Sequence, residues 1–340
     1  MKKKLLIICL VVIALALVAI GSVACILFAS NTKNDQKITL IVPRDATYAQ
    51  VKDSLQAHDI LKSESTFNLV VKAMRFKTMR VGKYEINPSM SNYKLVRLLR
   101  AGQHYPVKFS FNNLRTIDQL IERVGNHFFF EPEELAALLH DHSFLAKHGL
   151  TEATVPAIFI PNSYEIYYDI SAEAFFEKMY GQFQQFWNED RTKTAAEIGL
   201  TPFEVSTLAS IVEEENFRPS EKAIIAGLYI NRLHKGMLLQ SDPTVKFAIG
   251  DFTRKRILNA DLAIDSPYNT YKYKGLPPGP IRIPEASTLD SVLHYRHHDY
   301  LFMCAKEDLS GYHNFTSSAA QHAQNAARYR ATLNKQKIKR

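Results

Sequence analysis

The chain has 340 residues, 46% hydrophobic and 11% aromatic, with a formal net charge of +8. This composition excludes a disordered polypeptide and leaves room for two domains with proper cores. Lys2, Lys3 and Lys4, with Lys335, Lys337, Lys339 and Arg340, hold much of the positive excess at the two ends. That placement suits an anionic membrane or cell-wall surface; no basic stripe with interleaved aromatics argues for a nucleic-acid partner.

Residues 1–4 are followed by Leu5 to Ala29, a run without a charged side chain. As a helix it would span about 37 Å at about 1.5 Å per residue, enough for a ~30 Å hydrocarbon core. The lysines before it place residues 1–4 in the cytoplasm, residues 5–30 in the membrane and the remainder outside. A cleaved signal peptide is the competing reading, but its apolar region is usually shorter. Ser22-Val23-Ala24-Cys25 resembles a lipoprotein cleavage site only weakly, because the apolar run continues past it. Cys9 and Cys25 lie in this run and Cys304 stands alone, so the part outside forms no intrachain disulfide.

Residues 31–36 are polar and read as a linker. From 37 to 105, short strands (Ile38 to Val42, Tyr84 to Pro88) alternate with helical stretches (Thr47 to Ile60, Ser63 to Met74, Ser91 to Ala101), a small α+β module. A further strand is expected at Val107 to Phe111. Thr116 and Pro132 mark helix starts, and Ile158 to Tyr168 reads as extended. Ala172 to Thr194 reads as one long amphipathic helix whose aromatics are core. Ser220 is expected to cap a helix that Gly236 stops, Gln240 to Val245 to form an Asx-type turn, and Ser317 to Lys335 to be the last helix.

The most informative segment is Thr201 to Asn216, an apolar helix ending in Glu213, Glu214 and Glu215. Thr201 and Glu204 form a capping box and Pro202 suits the first turn. Val205, Leu208, Ala209 and Val212 line one stripe at 100° per residue. Glu214 then points to solvent, Glu213 sits near Ala209 and Ser206, and Glu215 follows Ile211 by one turn and Leu208 by two. A carboxyl group beside apolar side chains, near like charges and at a helix C-terminus is pushed toward its protonated form, as a general acid requires. A solvated helix end is the alternative for a run of three Glu.

Further along, Tyr268, Asn269 and Tyr271 offer stacking faces and amide hydrogen bonds suited to a sugar. They precede Gly275-Leu-Pro-Pro-Gly-Pro-Ile281, a stiff loop that loses little entropy on binding a ligand. Each of these segments alone is also compatible with an ordinary turn or connector. His294, His297 and His298 have helix-face spacing, but no cysteine or second histidine cluster completes a coordination sphere, so no metal and no cofactor are assigned.

In order and spacing, Leu208 to Glu215, Asn231-Arg-Leu233 with Gly236-Met237, Gln240 to Val245, Tyr268 to Tyr271, Gly275 to Ile281, and His313 with Phe315 resemble the endolytic murein transglycosylase family, the YceG-like proteins. The resemblance covers the whole chain. It implies an α+β protein with an N-terminal transmembrane helix, a small LysM-like module at 37–105 and a larger, mainly helical catalytic domain with short strands at 106–340. It further implies a single-pass protein of the bacterial cytoplasmic membrane that cuts glycan strands of nascent peptidoglycan outside the cell, sets strand length and works with peptidoglycan synthases. The family's catalytic glutamate matches Glu215. Glu213 is the candidate auxiliary carboxylate, and Gln240, Asp242, Thr244, Tyr268, Asn269, Tyr271, Pro278 and His313 are candidate substrate-binding groups. Three positions depart from the usual pattern: Glu214 stands where many relatives carry Lys, Asn162 where Asp is common, and Ser241 where Thr is usual. Two other readings stay open: a muramidase using Glu215 with Asp242 or Glu213 and adding water, and a non-catalytic glycan-binding or scaffold protein of the envelope.

Overall fold

The computed structural model describes residues 2–43, 46–76, 80–102, 104–216, 218–254 and 257–335. The expected basic tail at Lys337, Lys339 and Arg340 lies outside them. The chain divides into two compact units: residues 1–109 with 127–130 and 164–171, and residues 110–126 with 131–163 and 172–340. The architecture is α+β, mostly helical with short two-stranded sheets.

In the first unit, helix α1 (Lys2–Phe28) is long and apolar enough to cross a membrane, and none of its most apolar window is buried in the protein. Strand β1 (Ile38–Val42), helices α2 (Tyr48–Ala57) and α3 (Glu64–Ala73), strand β2 (Gly82–Ile86) and helix α4 (Asn92–Ala101) follow. Thr47, Ser63 and Ser91 accept backbone N–H groups as N-caps, and Gly102 closes α4 at φ +67°. β1 and β2 pair antiparallel with Leu40 opposite Tyr84. Leu40, Val42, Leu55, Phe67, Tyr84 and Leu99 are among the buried core residues, and Ile26 and Leu27 from the end of α1 pack against that core. The stretch expected as a free linker begins as a packed seam. Asn31 and Thr32 are buried, and the Asn31 amide donates to Asn92 Oδ1 at 2.6 Å. Strands β3 (Pro106–Ser110) and β4 (Ser163–Tyr167) form a second sheet.

The second unit holds α5 (Ile117–Gly125), α6 (Pro132–His140), α7 (His142–Lys147), α8 (Ala172–Phe186), α9 (Glu189–Glu197), α10 (Pro202–Glu215), α11 (Pro219–His234), α12 (Asp242–Ile249), α13 (Ala286–Leu293) and α14 (Ala319–Lys335), with the antiparallel pair β5 (Phe302–Ala305) and β6 (His313–Thr316). Three expectations change here. The single helix from 172 to 194 is two, because Asn188 caps the Arg191 N–H at 3.0 Å and starts α9. α11 begins at Pro219 rather than behind a Ser220 cap, using proline's preset φ at its first turn. Gln240 to Val245 is no isolated turn: it leads into α12, again with proline in the first turn.

Helix α10 is the centre of this unit. Every residue from Val205 to Glu213 is buried, so the helix is enclosed all round rather than amphipathic. Its Ser and Thr hydroxyls are satisfied by carbonyls one turn back, as Ser206 to Pro202 and Thr207 to Phe203. The stiff proline loop docks on it, the Ile281 N–H donating to Ser210 Oγ at 2.9 Å. Gly279 lets the same loop pass close to the Ala153 backbone: a Cβ there would lie 1.7 Å from the Ala153 carbonyl oxygen.

Candidate active site

The capping box expected at Thr201 and Glu204 is present and fixes where α10 starts. The helix ends at Asn216, whose backbone is extended, so the three glutamates occupy the last turn. Their surroundings differ sharply.

Glu213 is 1% exposed. Its carboxylate accepts the Asn113 amide (2.9 Å), the Glu285 N–H (3.0 Å) and the Thr288 hydroxyl (2.5 Å), with Arg282 Nε at 3.3 Å and Lys222 Nζ at 3.6 Å. An auxiliary catalytic role was expected of it. In the structure it is a buried tie between α10, α11 and α13. Glu214 is not solvated either. It accepts Arg115 at 2.9 Å and Arg282 at 2.7 Å, with its side chain 12% exposed. Packing around the end of α10 is the reason: Arg115 and Arg282 cover the side on which Glu214 projects.

Glu215 alone opens on a cavity of about 440 Å³, whose walls include Tyr229, Arg232, Gln240, Asp242, Tyr271 and Phe302. Tyr229 Oη and Ser241 Oγ both donate to Oε1, each at 2.6 Å. Among the described residues no donor meets Oε2, so that oxygen is the one free to carry a proton. Burial pushes the Glu215 carboxyl above its ordinary value of 4.5. The two hydroxyl donors pull the other way, the Asp242 charge adds to the rise and that of His313 opposes it. The expected direction is found, with burial as its main cause.

The candidate binding residues divide. Gln240, Asp242 and Tyr271 line the Glu215 cavity, and Tyr271 donates to Asp242 Oδ1 at 2.6 Å. Gln240 is held at φ +53°, a left-handed backbone uncommon outside glycine, and accepts Arg232 Nη2 at 2.7 Å. His313 stands beside the last turn of α10, its Nδ1 2.9 Å from Glu221 Oε2. Four others do not reach the cavity. Thr244 is fully buried and donates to the Ser241 carbonyl at 2.8 Å. Asn269 is 0% exposed, its amide donating to the carbonyls of Leu262 and Ile264 and its oxygen accepting the Tyr271 N–H. These two lock the turn that presents Ser241 and Tyr271. Tyr268 packs on Phe247 at 4.7 Å and lines a separate cavity of about 390 Å³ with Arg115 and Phe252. Pro278 is exposed on the docked loop.

Tyr229, Arg232, Ser241, Phe302, Met303 and His322 belong to the site and were not singled out as such. Arg232 lies within the Asn231-Arg-Leu233 motif and Ser241 within the Gln240 motif. Nothing local marks Tyr229 or His322, which come to the cavity from α11 and α14. Among the described residues no three His, Cys, Asp or Glu side chains are grouped to hold a metal ion. His298 instead faces the Ile224 carbonyl at 2.9 Å.

The cleft thus joins a carboxyl group of raised pKa, two hydroxyl donors that orient it, and aromatic and amide walls, a set of groups suited to acid–base chemistry on a polar substrate. Residues 40–328 match the model of the YceG-like family, and the chain belongs to that family. It is 28% identical over 324 residues to the endolytic murein transglycosylase of Bacillus subtilis strain 168, covering 89% of this chain and 88% of that one. It is 24% identical over 333 residues to the endolytic murein transglycosylase of Streptococcus pneumoniae D39, covering 88% of this chain and 59% of that one. The crystal structure of a yceG-like protein from Listeria monocytogenes superposes with a TM-score of 0.57 at 26% identity, covering 86% of this chain and 99% of that chain.

Proposed function

We propose that the protein is an endolytic lytic transglycosylase that cleaves the bond between N-acetylmuramic acid and N-acetylglucosamine in nascent peptidoglycan. One observation carries the assignment: Glu215, the last of three consecutive glutamates, faces the cleft of about 440 Å³, with Oε1 held by two hydroxyl donors and, among the described residues, no donor to Oε2. The names of the relatives support the substrate. Protonated Glu215 gives its proton to the glycosidic oxygen as the C1–O bond breaks. The resulting carboxylate takes the proton of the muramoyl 6-hydroxyl as that oxygen bonds C1. The product is a 1,6-anhydro sugar, no water is consumed, and Glu215 ends protonated as it began. Asp242, Tyr271 and Gln240 position the strand.

Asp242 in the same cavity favours a second reading, a muramidase in which it activates water. Digestion of purified peptidoglycan followed by mass spectrometry separates the two, because a hydrolytic product is one water heavier. Glu215→Gln is expected to abolish cleavage while leaving the circular dichroism spectrum intact; a folded variant cutting near the wild-type rate refutes the assignment.

Helix α1 serves as the anchor of a single-pass protein of the cytoplasmic membrane, with residues 1–4 inside and both units outside; its length and apolarity, behind a lysine cluster, support this. The module at 37–105 acts as a LysM-like glycan-binding domain, supported by its β1–α2–α3–β2 order on a two-stranded antiparallel sheet. An anchored cutter acts on strands emerging beside their synthases and sets their length.

A further inference from the structure

The wall of the Glu215 cavity carries a cation that pairs with no carboxylate among the described residues. Arg232 is 8% exposed and lines the cavity. Its hydrogen bonds go to neutral oxygens, the Leu239 carbonyl at 3.1 Å and Gln240 Oε1 at 2.7 Å, and among the described residues it forms no ion pair. Its Nε has no partner. A buried charge without a counter-ion is costly, and a guanidinium whose N–H groups are not all used is well suited to donate to a ligand oxygen. His322 lines the same wall, stacked on Phe302 with centroids 5.4 Å apart, and its Nδ1 also lacks a partner. Burial, with the positive charges of Arg232 and Arg330, holds its imidazole below the ordinary value and therefore neutral at pH 7. The Arg232 guanidinium lies over the Phe302 ring at 5.7 Å, and Gln240, which orients it, keeps an unfavourable left-handed backbone. Strain of that kind persists where a site over-determines its geometry.

We propose that Arg232, with His322 beside it, forms a specificity subsite for the acyl oxygen of the muramoyl lactyl arm. The inference rests on the peptidoglycan reading above. The oxygen is a carboxylate in peptide-free strands and an amide carbonyl in peptide-bearing ones; both accept from a guanidinium, and the carboxylate also compensates its charge. The acetamido carbonyl, present on both sugars, is the rival source of an acceptor. A positive group at this wall selects the muramoyl unit over its neighbour, which has no lactyl arm, and so sets the register of the strand against Glu215.

The test uses the full chain in detergent micelles with Glu215→Gln to block turnover, and isothermal titration with two probes. One is a peptide-free peptidoglycan tetrasaccharide, which carries lactyl carboxylates. The other is chitotetraose, which carries acetamido groups alone. Adding Arg232→Gln is expected to weaken the first at least about ten-fold, equal to ~1.4 kcal/mol, and to leave the second within about two-fold. Loss of the salt dependence of the first accompanies it. Equal weakening of both probes, or no weakening of the first, overturns the subsite. If the glutamine variant fails to fold, Arg232→Lys keeps the charge and the aliphatic stem but loses the planar fork; a smaller selective loss is then expected, and none overturns the proposal. Mass spectrometry of a wild-type digest keeps the two ideas apart: absence of an anhydro product sinks the transglycosylase reading, whereas selective binding through Arg232 tests the subsite.

Discussion

Removing one hydroxyl group tests how the acid is tuned. Tyr229 is buried, and its Oη donates to Glu215 Oε1 at 2.6 Å, so Tyr229→Phe deletes one of two donors and little else. A donor to a carboxylate favours the charged form; its loss therefore raises the acid's pKa further. A hydrogen bond to a charged group contributes about 1.5–3 kcal/mol, and about 1.4 kcal/mol corresponds to one pH unit. The burial that already raises the Glu215 carboxyl strengthens the effect, because a hydrogen bond counts for more in a low-dielectric setting. The basic limb of kcat/KM, where the free enzyme loses its acid, should thus move upward by about one unit. The assay is initial-rate release of soluble fragments from purified peptidoglycan between pH 5 and 9. Ser241→Ala, removing the other donor at the same distance, should shift the limb in the same direction. A limb that stays fixed or moves to lower pH in both variants refutes the claim that Glu215 is the titrating acid.

Two further outcomes concern stability. The Glu215 carboxyl is raised in the folded state, so the stability it contributes is present below about pH 4.5 and lost as pH rises through the folded value. Glu215→Gln has no such loss, so its melting temperature relative to the wild type should rise as pH climbs above 4.5 and level off once the wild-type carboxyl has ionised; a difference that shrinks or stays constant over that range contradicts this. Glu213→Ala should behave differently, because it removes the buried carboxylate partner of Lys222 and one of the two of Arg282, and empties three hydrogen bonds at the centre of the second unit. A loss of about 3–5 kcal/mol in urea unfolding is expected, with fragment patterns from any surviving folded enzyme unchanged. A catalytic defect at full stability would instead return Glu213 to the chemistry.

The local code of this chain was legible. Thr47, Ser91, Thr116 and Thr201 cap helices where their side chains can accept a backbone N–H, and the apolar run after Lys4 forms one long helix. Those features depend on neighbours within a turn, which the linear order supplies. The direction of the Glu215 shift also follows from position, since a carboxyl group following Leu208 and Ile211 on one face must lose hydration. What each of the three glutamates meets could not be read that way. Arg115, Arg282 and Thr288 arrive at Glu213 and Glu214 from segments about 70 to 100 positions away, and Tyr229 and Ser241 come from two different elements to one oxygen. Helical periodicity assigns directions around an axis; only packing decides whether a direction ends in solvent, in an ion pair or in a cleft. Asn269 and Thr244 show the same division. The Asn269 amide suggested contact with sugar and the family resemblance added Thr244; in the structure both side chains bond backbone carbonyls, because a tight turn on the wall of a cavity needs its own backbone groups satisfied before it can present Ser241 and Tyr271 to a ligand.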